Sequence, residues 1–125
     1  MSDDEFADFT EQMRLLVAEG SFLWELPAGT RDHIGENKWL DHGPWQQADC
    51  AAAVHLWFDA GLLSVLRRWP EEHALTAPDA REVLDALDSW LLEQDGTNFA
   101  LEETEAGAAL GWDEWRTLLR VLRSG

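Results

Sequence analysis

The sequence VHLWFDAGLL, Val54 to Leu63, changes from a helical pattern to a strand-like one within ten residues. The alanines before it favour a helix from Gly43-Pro44 to about Ala60, because alanine has the highest helix propensity and proline is tolerated at the first helical position. Gly61 supplies the left-handed conformation that commonly ends a helix. Residues 62–69 then suit a short strand, and a continued helix stays open as the alternative.

Amphipathic patterns predict three further helices. Residues 3–19 place their apolar side chains along one stripe, and Gly20 ends that helix. Thr76 begins another as an N-cap residue, with a proline in the first turn. Thr104 or Asp113 caps a last helix, whose basic C-terminal half suits the helix dipole. The residues predicted to face the core are Phe6, Phe9, Met13, Leu16 and Val17 in the first, Ala80, Val83, Leu84 and Leu87 in the second, and Trp115, Leu118, Leu119 and Leu122 in the third.

The remaining segments lack a helical period. Residues 22–26 form an apolar cluster that stops at Pro27, which predicts a short strand or a helical turn. Residues 27–44 are the least regular part of the chain. Further on, the apolar runs 90–92 and 99–101 flank Gln94-Asp95-Gly96-Thr97, and Asp-Gly between apolar runs is typical of a hairpin turn. We therefore expect a β-hairpin across residues 90–101.

The charge of the chain is its most unusual property. It has 25 acidic residues against nine basic ones, a formal net charge of −16 and an isoelectric point near 4.3. From Glu71 to Glu105 eleven acidic residues accompany Arg81 alone. Nucleic-acid affinity depends largely on Lys and Arg, so this charge favours cations, basic proteins or neutral ligands instead. Acidity that serves only solubility is the alternative. The length predicts a single acidic domain over residues 1–125.

Two stretches resemble a winged-helix domain elaborated by an inserted helix. Val54–Leu63 looks like the end of a recognition helix running into the first wing strand, and Phe99–Gly107 like the second wing strand entering the next helix. The resemblance covers the middle and C-terminal parts of the chain. It implies a mainly helical α+β fold with about five helices and a small antiparallel β-hairpin. Residues 41–60 and the wing tip at 94–99 hold no Lys or Arg, which implies a DNA-binding function that is lost or replaced.

The cysteine and the histidines show no pattern of a chemical site. Cys50 is the single cysteine, so an internal disulfide is excluded, and its small-residue surroundings predict a buried, inert thiol. The four histidines lack metal-ligand spacing. We expect solvated loop positions for His33, His42 and His73, and the helix surface or the edge of the core for His55.

The acidic pairs at 71–72, 102–103 and 113–114 could in principle provide an acid and a base. Such chemistry needs two carboxyl groups in different environments, whereas these pairs are expected to face solvent. The chain also lacks a phosphate-binding loop and a nucleophile motif, so we predict no enzyme activity and no catalytic, cofactor-binding or metal-binding residues. An acidic N-terminus and the lack of a long apolar run predict a cytoplasmic protein without a membrane segment.

Eight tryptophans are more than the packing of so small a domain needs. Trp57, Trp90 and Trp115 lie on predicted buried stripes, which assigns them to the core. Trp39 and Trp45 lie in or beside the irregular segment. Because tryptophan is enriched in binding hot spots, we predict that these two contact a partner or ligand, with anchoring of the loop as the alternative.

These observations favour an acidic module that binds and neutralises a basic partner protein, as immunity proteins, antitoxins and DNA mimics do. The predicted partner-binding residues are Trp39, Trp45, Glu71, Glu72, Asp85, Asp88, Glu102 and Glu103. One alternative is a winged-helix regulator that binds DNA through Arg116, Arg120 and Arg123. Another is a small ligand sensor with its site in the tryptophan-rich loop at 33–45.

Overall fold

The first helix begins where the sequence predicts, since the hydroxyl of Ser2 accepts a hydrogen bond from the backbone N–H of Glu5 at 3.1 Å. The computed structural model describes residues 1–95 and 97–123. The helices are α1 (Asp3–Ala18), α2 (Glu25–Ala28), α3 (Gln47–Asp59), α4 (Ala77–Asp85), α5 (Glu105–Ala109) and α6 (Trp112–Leu119), with 3₁₀ turns at Leu87–Trp90 and Arg120–Arg123. The strands are β1 (Thr30–Gly35), β2 (Lys38–His42), β3 (Leu63–Arg67), β4 (His73–Ala74) and β5 (Phe99–Glu103). Within the described ranges, no helix combines the length and the apolar composition that crossing a bilayer requires.

The strand β3 is the centre of a three-stranded antiparallel sheet in the order β4-β3-β5. The short strand predicted within residues 62–69 is thereby confirmed. The hairpin predicted across residues 90–101 is wrong, because β5 pairs with β3, from Leu63 opposite Glu103 to Arg67 opposite Phe99. Gly96, in the predicted turn, lies outside the described residues.

Burial explains why β5 pairs with a distant strand rather than with its neighbour in sequence. Phe99, Ala100 and Leu101 are all buried in the sheet beside β3. Trp90 reaches the core from a 3₁₀ turn instead, and its indole N–H donates to the carbonyl oxygen of Leu84 at 3.0 Å. An isolated two-stranded hairpin is marginally stable in water, so the pairing that buries more apolar surface prevails.

The segment at 27–44, predicted to be irregular, contains the end of α2 and a β-hairpin formed by β1 and β2. The predicted helix start at Gly43-Pro44 is also wrong, since α3 begins at Gln47. Gly43 has a φ of +92°, which is incompatible with a right-handed helix. The N–H of Trp45 donates to the carbonyl oxygen of Pro27 at 2.9 Å. The chain therefore closes the hairpin before it enters α3.

The three tryptophans that the sequence assigns to the core are buried. Trp57 donates its indole N–H to the carbonyl oxygen of Trp115 at 3.0 Å, and Trp115 donates to the carbonyl oxygen of Gly107 at 3.1 Å. A buried indole needs such an acceptor because an unpaired polar group is costly in an apolar interior. The buried apolar residues of the helices and the sheet form one cluster around these rings.

The predicted last helix is divided into two. Thr104 caps α5, because its hydroxyl accepts a hydrogen bond from the N–H of Gly107 at 3.0 Å, and α6 begins after Gly111. A 3₁₀ turn follows α6, so Leu122 is 39% exposed instead of buried. Leu87 is 58% exposed because α4 has already ended. The described chain therefore has six α-helices within the predicted α+β, mainly helical class.

Candidate functional site

The β1–β2 hairpin extends away from the core, and no residue of either strand is buried. Its strands pair antiparallel from Thr30 opposite His42 to Gly35 opposite Lys38, with an irregularity in register around Ile34. Asn37 has a φ of +57°, and this left-handed conformation turns the chain between the strands. The hairpin is therefore defined by its own backbone pairing and turn rather than by burial.

The chain leaves α2 to form the hairpin and returns towards α3 at nearly the same point. Gly29 and Gly43 have φ values of +82° and +92°. A Cβ atom on Gly43 would lie 3.1 Å from the Cα of Gly29, and one on Gly29 would collide with the carbonyl oxygen of His42. The two ends of the hairpin come this close only because neither glycine carries a side chain.

Large apolar side chains are exposed along the hairpin. Trp39 is 56% exposed, Ile34 is 60% exposed and Leu40 is 48% exposed. The register places Trp39 on the same face as His33, and the two rings lie 4.6 Å apart between centroids. Because successive residues of a strand point to opposite faces, Leu40 lies on the other face. The hairpin therefore offers apolar contact area on both sides.

An ion pair holds the strands together on the face of the hairpin that carries Trp39. Arg31 of β1 lies opposite Asp41 of β2, and its Nε is 2.6 Å from Asp41 Oδ1. The hydrogen bond from Arg31 is the largest of the effects that hold the pKa of Asp41 below its ordinary value. Such cross-strand pairs help to fix the register of a hairpin that has no core of its own.

On the opposite face, His42 lies between two carboxylates. Its Nδ1 is 2.8 Å from Oδ1 of Asp8 in α1, and its Nε2 is 2.8 Å from Oδ2 of Asp32 in β1. The side chain of His42 is only 11% exposed, so the predicted solvated loop position is wrong. The hydrogen bond to Asp8 is the largest of the effects that raise the pKa of His42 above its ordinary value. Sequence reasoning missed this cluster because Asp8 is 34 positions away.

The structure separates the two tryptophans that the sequence assigns to partner contact. Trp39 lies on the exposed hairpin, and the ring contact described for it is with His33 of the same hairpin. Trp45 is half-buried below the hairpin, where its ring meets Phe9 edge-on at 5.3 Å. Trp45 therefore has the anchoring position that the sequence left open, and Trp39 has the exposed one.

The six acidic residues predicted to bind a partner lie on several elements outside the hairpin. Glu71 and Glu72 are exposed between β3 and β4, Asp85 is at the end of α4, Asp88 is in the following 3₁₀ turn, and Glu102 and Glu103 are on β5. Glu72 is 3.5 Å from Arg68, and Asp85 is 2.9 Å from His55. These acidic residues thus lie on several elements, none of which carries Trp39.

Glu103 departs from the expectation that the acidic pairs face solvent. Its carboxylate is 2.5 Å from the guanidinium of Arg14, and the two side chains are only 22% and 9% exposed. The guanidinium carbon of Arg14 also lies 4.0 Å from the ring centroid of Trp115. Glu103 therefore joins β5 to α1, whereas its neighbour Glu102 is exposed.

The arginines proposed for DNA binding lie at the C-terminal end of the chain. Arg116 is in α6, and Arg120 and Arg123 are in the 3₁₀ turn that follows. Within the described residues, the guanidinium of Arg116 lies 3.7 Å from Asp113, and that of Arg123 lies 2.8 Å from Asp3. Both cations are thus partly neutralised by acidic residues of the protein itself.

The structure places the remaining candidate groups as follows. Cys50 is buried, and burial is the main cause that raises the pKa of its thiol to about 12.

No group of three or more His, Cys, Asp or Glu side chains in the described ranges is arranged to hold a metal ion. A polar cavity of about 320 Å³ lies at the base of the hairpin, between Thr30, Arg31 and Asp41. Of the loop at 33–45, where the sequence places the site of a ligand sensor, only residues 41–44 line this cavity.

Comparison with protein-family models, with curated proteins and with solved structures gave no match. The exposed hairpin and the charge of the surface are therefore the features from which a function can be inferred.

Proposed function

We propose that this protein is an acidic module that binds and neutralises a basic partner protein, with the β1–β2 hairpin as its docking element. The observation that carries the proposal is the exposed indole of Trp39 on a hairpin that buries none of its own residues. A large, exposed aromatic side chain is a common centre of a binding hot spot. The activity is of the immunity-protein or DNA-mimic type, in which an acidic protein occupies a cationic surface.

The net charge of −16 supports a basic partner over the other possible occupants of this surface. Two copies of the chain repel each other at long range, and so do the chain and a nucleic acid. A cationic protein is attracted instead, and complementary charge raises the association rate in a salt-dependent way. A cytoplasmic location, predicted from the sequence, belongs to the same proposal.

The hairpin also suggests the chemistry of the partner's binding site. Trp39 and Leu40 would each insert an apolar group, one from either face. Glu36 lies exposed on the same hairpin and would contact a lysine or arginine side chain at the rim. The partner therefore has an apolar cleft surrounded by basic residues.

A winged-helix regulator remains the second hypothesis for the fold and the function. Its DNA contacts would come from Arg116, Arg120 and Arg123. Because Arg116 and Arg123 already lie against carboxylates of the protein, DNA binding would have to break or reorganise these ion pairs. This favours the protein-binding proposal over the DNA-binding one.

The proposal is tested by capturing partners from the lysate of the source cell with the wild-type protein, Trp39→Ala and Trp69→Ala. Trp69 is the matched control because it is 71% exposed but lies between β3 and β4, outside the hairpin. Captured proteins are identified by mass spectrometry, purified and titrated against each variant by calorimetry at low and high salt.

We expect a basic protein whose affinity falls by about tenfold or more in Trp39→Ala, as loss of a hot-spot tryptophan predicts. The affinity of Trp69→Ala should match that of the wild type, and high salt should weaken binding by all three. If no captured protein depends on Trp39, or if Trp69→Ala weakens binding equally, the hairpin is not the docking element.

A further inference from the structure

The hairpin is tied to α1 by a chain of hydrogen bonds that runs through His42. The hydroxyl of Thr30 donates to Oε1 of Gln12 at 2.9 Å, and the amide of Gln12 donates to Asp8 at 3.5 Å. Asp8 accepts from His42 Nδ1 at 2.8 Å, and Nε2 on the far side of the ring reaches Asp32 at 2.8 Å. One imidazole thus links a helix of the body to both strands of the hairpin.

The arrangement around His42 is complete only when the ring is protonated. An imidazolium ion has two N–H donors, so it can donate hydrogen bonds to Asp8 and Asp32 at the same time. A neutral imidazole has one N–H, and its other nitrogen would present a lone pair to a carboxylate at hydrogen-bond distance. The charged neighbours of the ring are Asp8 from α1, Asp32 from β1 and the adjacent Asp41, whose own charge is paired with Arg31.

We propose that His42 is a proton-controlled clasp, which fixes the β1–β2 hairpin to α1 when protonated and loosens it when the proton is lost. Loss of the proton removes one charge-assisted hydrogen bond and leaves Asp8 and Asp32 facing the same neutral ring. The neutral ring can then donate to Asp8 or to Asp32 but not to both, and the hydrogen bond between Thr30 and Gln12 is itself neutral. Because no hairpin residue is buried, little apolar packing opposes the loosening.

The direction of the effect follows from the surroundings of the ring. The two carboxylates favour the charged imidazolium, so the pKa of His42 is raised in the folded protein. The clasp is therefore intact in mildly acidic solution and weakens as the pH rises through that raised value. The clasp itself does not depend on the proposed function. Where the hairpin docks a partner, a loosened hairpin must be ordered again on binding, which lowers the affinity.

Hydrogen exchange of the full-length protein tests the clasp without any partner. The backbone amides of residues 30–42 are followed by mass spectrometry at about pH 5.5 and about pH 8.5, after correction for the intrinsic pH dependence of exchange. The variants are His42→Gln, which cannot titrate, and His33→Gln, which removes the other histidine of the same hairpin. Amides of α3 report whether each variant is folded.

In the wild type we expect exchange of the hairpin amides to accelerate about tenfold at the higher pH, because one charge-assisted hydrogen bond to the ring is lost. His33→Gln should behave in the same way, whereas His42→Gln should exchange rapidly at both values. Equal protection of the wild-type hairpin at the two pH values would overturn the proposal, as would a pH response that persists in His42→Gln.

A second variant covers the case in which His42→Gln loses protection in α3 as well. Asp32→Asn keeps the imidazole and Asp8 but removes one negative charge from the ring, so the midpoint of the pH response should move to lower pH. An unchanged midpoint would overturn the clasp. The proposed function can fail while the clasp is supported. This is the result if Trp39→Ala binds every captured protein as the wild type does and the pH response of the hairpin persists.

Discussion

Trp57 of α3 donates its indole N–H to the backbone carbonyl of Trp115 in α6 at 3.0 Å, and the two rings meet edge-on with centroids 5.0 Å apart. Replacement Trp57→Phe removes the donor and leaves a cavity between the helices. We expect a loss of about 2 kcal/mol in the free energy of unfolding, measured by urea denaturation with far-ultraviolet circular dichroism. Trp69→Phe, at an exposed position, should change it by less than about 0.5 kcal/mol; equal effects would contradict the assignment of Trp57 to the core.

Gly107 in α5 lies where alanine would ordinarily stabilise a helix by about 1 kcal/mol. Here a Cβ atom would collide with the carbonyl oxygen of Leu62 and lie 2.9 Å from the ring of Trp115. Gly107→Ala should therefore lower the free energy of unfolding by at least about 2 kcal/mol. Gly61→Ala is the comparison, since its φ of +79° strains any side chain but nothing lies within 4 Å. Gly61→Ala should lower the free energy of unfolding by about 1 kcal/mol. A larger decrease in Gly61→Ala than in Gly107→Ala would contradict the close packing of Gly107.

The pair Arg14 and Glu103 predicts a measurable coupling energy. Arg14→Ala removes the cation over Trp115 and leaves Glu103 half-buried without its partner, so we expect a loss of about 3 kcal/mol. Glu103→Gln keeps the shape of the side chain and should lower the free energy of unfolding by less than Arg14→Ala does. In a double-mutant cycle measured by denaturation, the two changes together should cost at least about 1 kcal/mol less than their sum. Strict additivity would show that the two groups do not interact.

The thiol of Cys50 should be nearly inert in the native protein. Burial raises its pKa from the ordinary 9.0 to about 12, so the thiolate population falls by about a thousandfold. A disulfide reagent at mildly alkaline pH should label the native protein very slowly, and the same protein in denaturant at the rate of a free cysteine. Rapid labelling without denaturant would show that the α3 face around Cys50 is open to solvent.

The raised pKa of His42 also predicts how stability depends on pH. The folded protein binds this proton more tightly than the unfolded chain, whose histidine pKa is about 6.5. The stabilisation is therefore fully present below about pH 6.5 and is lost as the pH rises through the folded-state value. Denaturation at several pH values measures the free energy of unfolding of the wild type and of His42→Gln. The difference between the two free energies should shrink as the pH rises. A difference that grows with pH would reverse the assigned shift.

The parts of the fold that the sequence predicts correctly have local signals. Ser2 and Thr76 cap their helices within three residues, and Gly61 stops α3 where a left-handed residue is needed. Trp57 and Trp115 are likewise recognisable, since their helical spacing places them on apolar stripes. Such signals depend only on neighbours along the chain.

The wrong prediction of a hairpin at 90–101 concerns a pairing between distant residues. Asp95 and the following glycine suggested a local hairpin, but Phe99 and Leu101 are buried by pairing with β3 instead. The true hairpin at 30–42 has no buried residue and so no alternation of apolar and polar positions to identify it. Asn37 between Glu36 and Lys38 was the available signal, because asparagine tolerates the left-handed turn.

The candidate site was predictable only in part for the same reason. Trp39 could be chosen from composition, since a tryptophan in a polar segment lacks neighbours to pack against. His42 could not, because its partners Asp8 and Asp32 come from another helix and the opposite strand. Only the closed hairpin brings those three side chains together.

The close approach of Gly29 and Gly43 has an evolutionary consequence. The outer part of the hairpin, around Asn37, can change in length without displacing α2 or α3, because the chain enters and leaves at one place. The hairpin and the tryptophan-centred core thus belong to separable parts of the backbone. If the hairpin docks a partner as proposed, selection can alter its exposed end while the tryptophan-centred core stays unchanged.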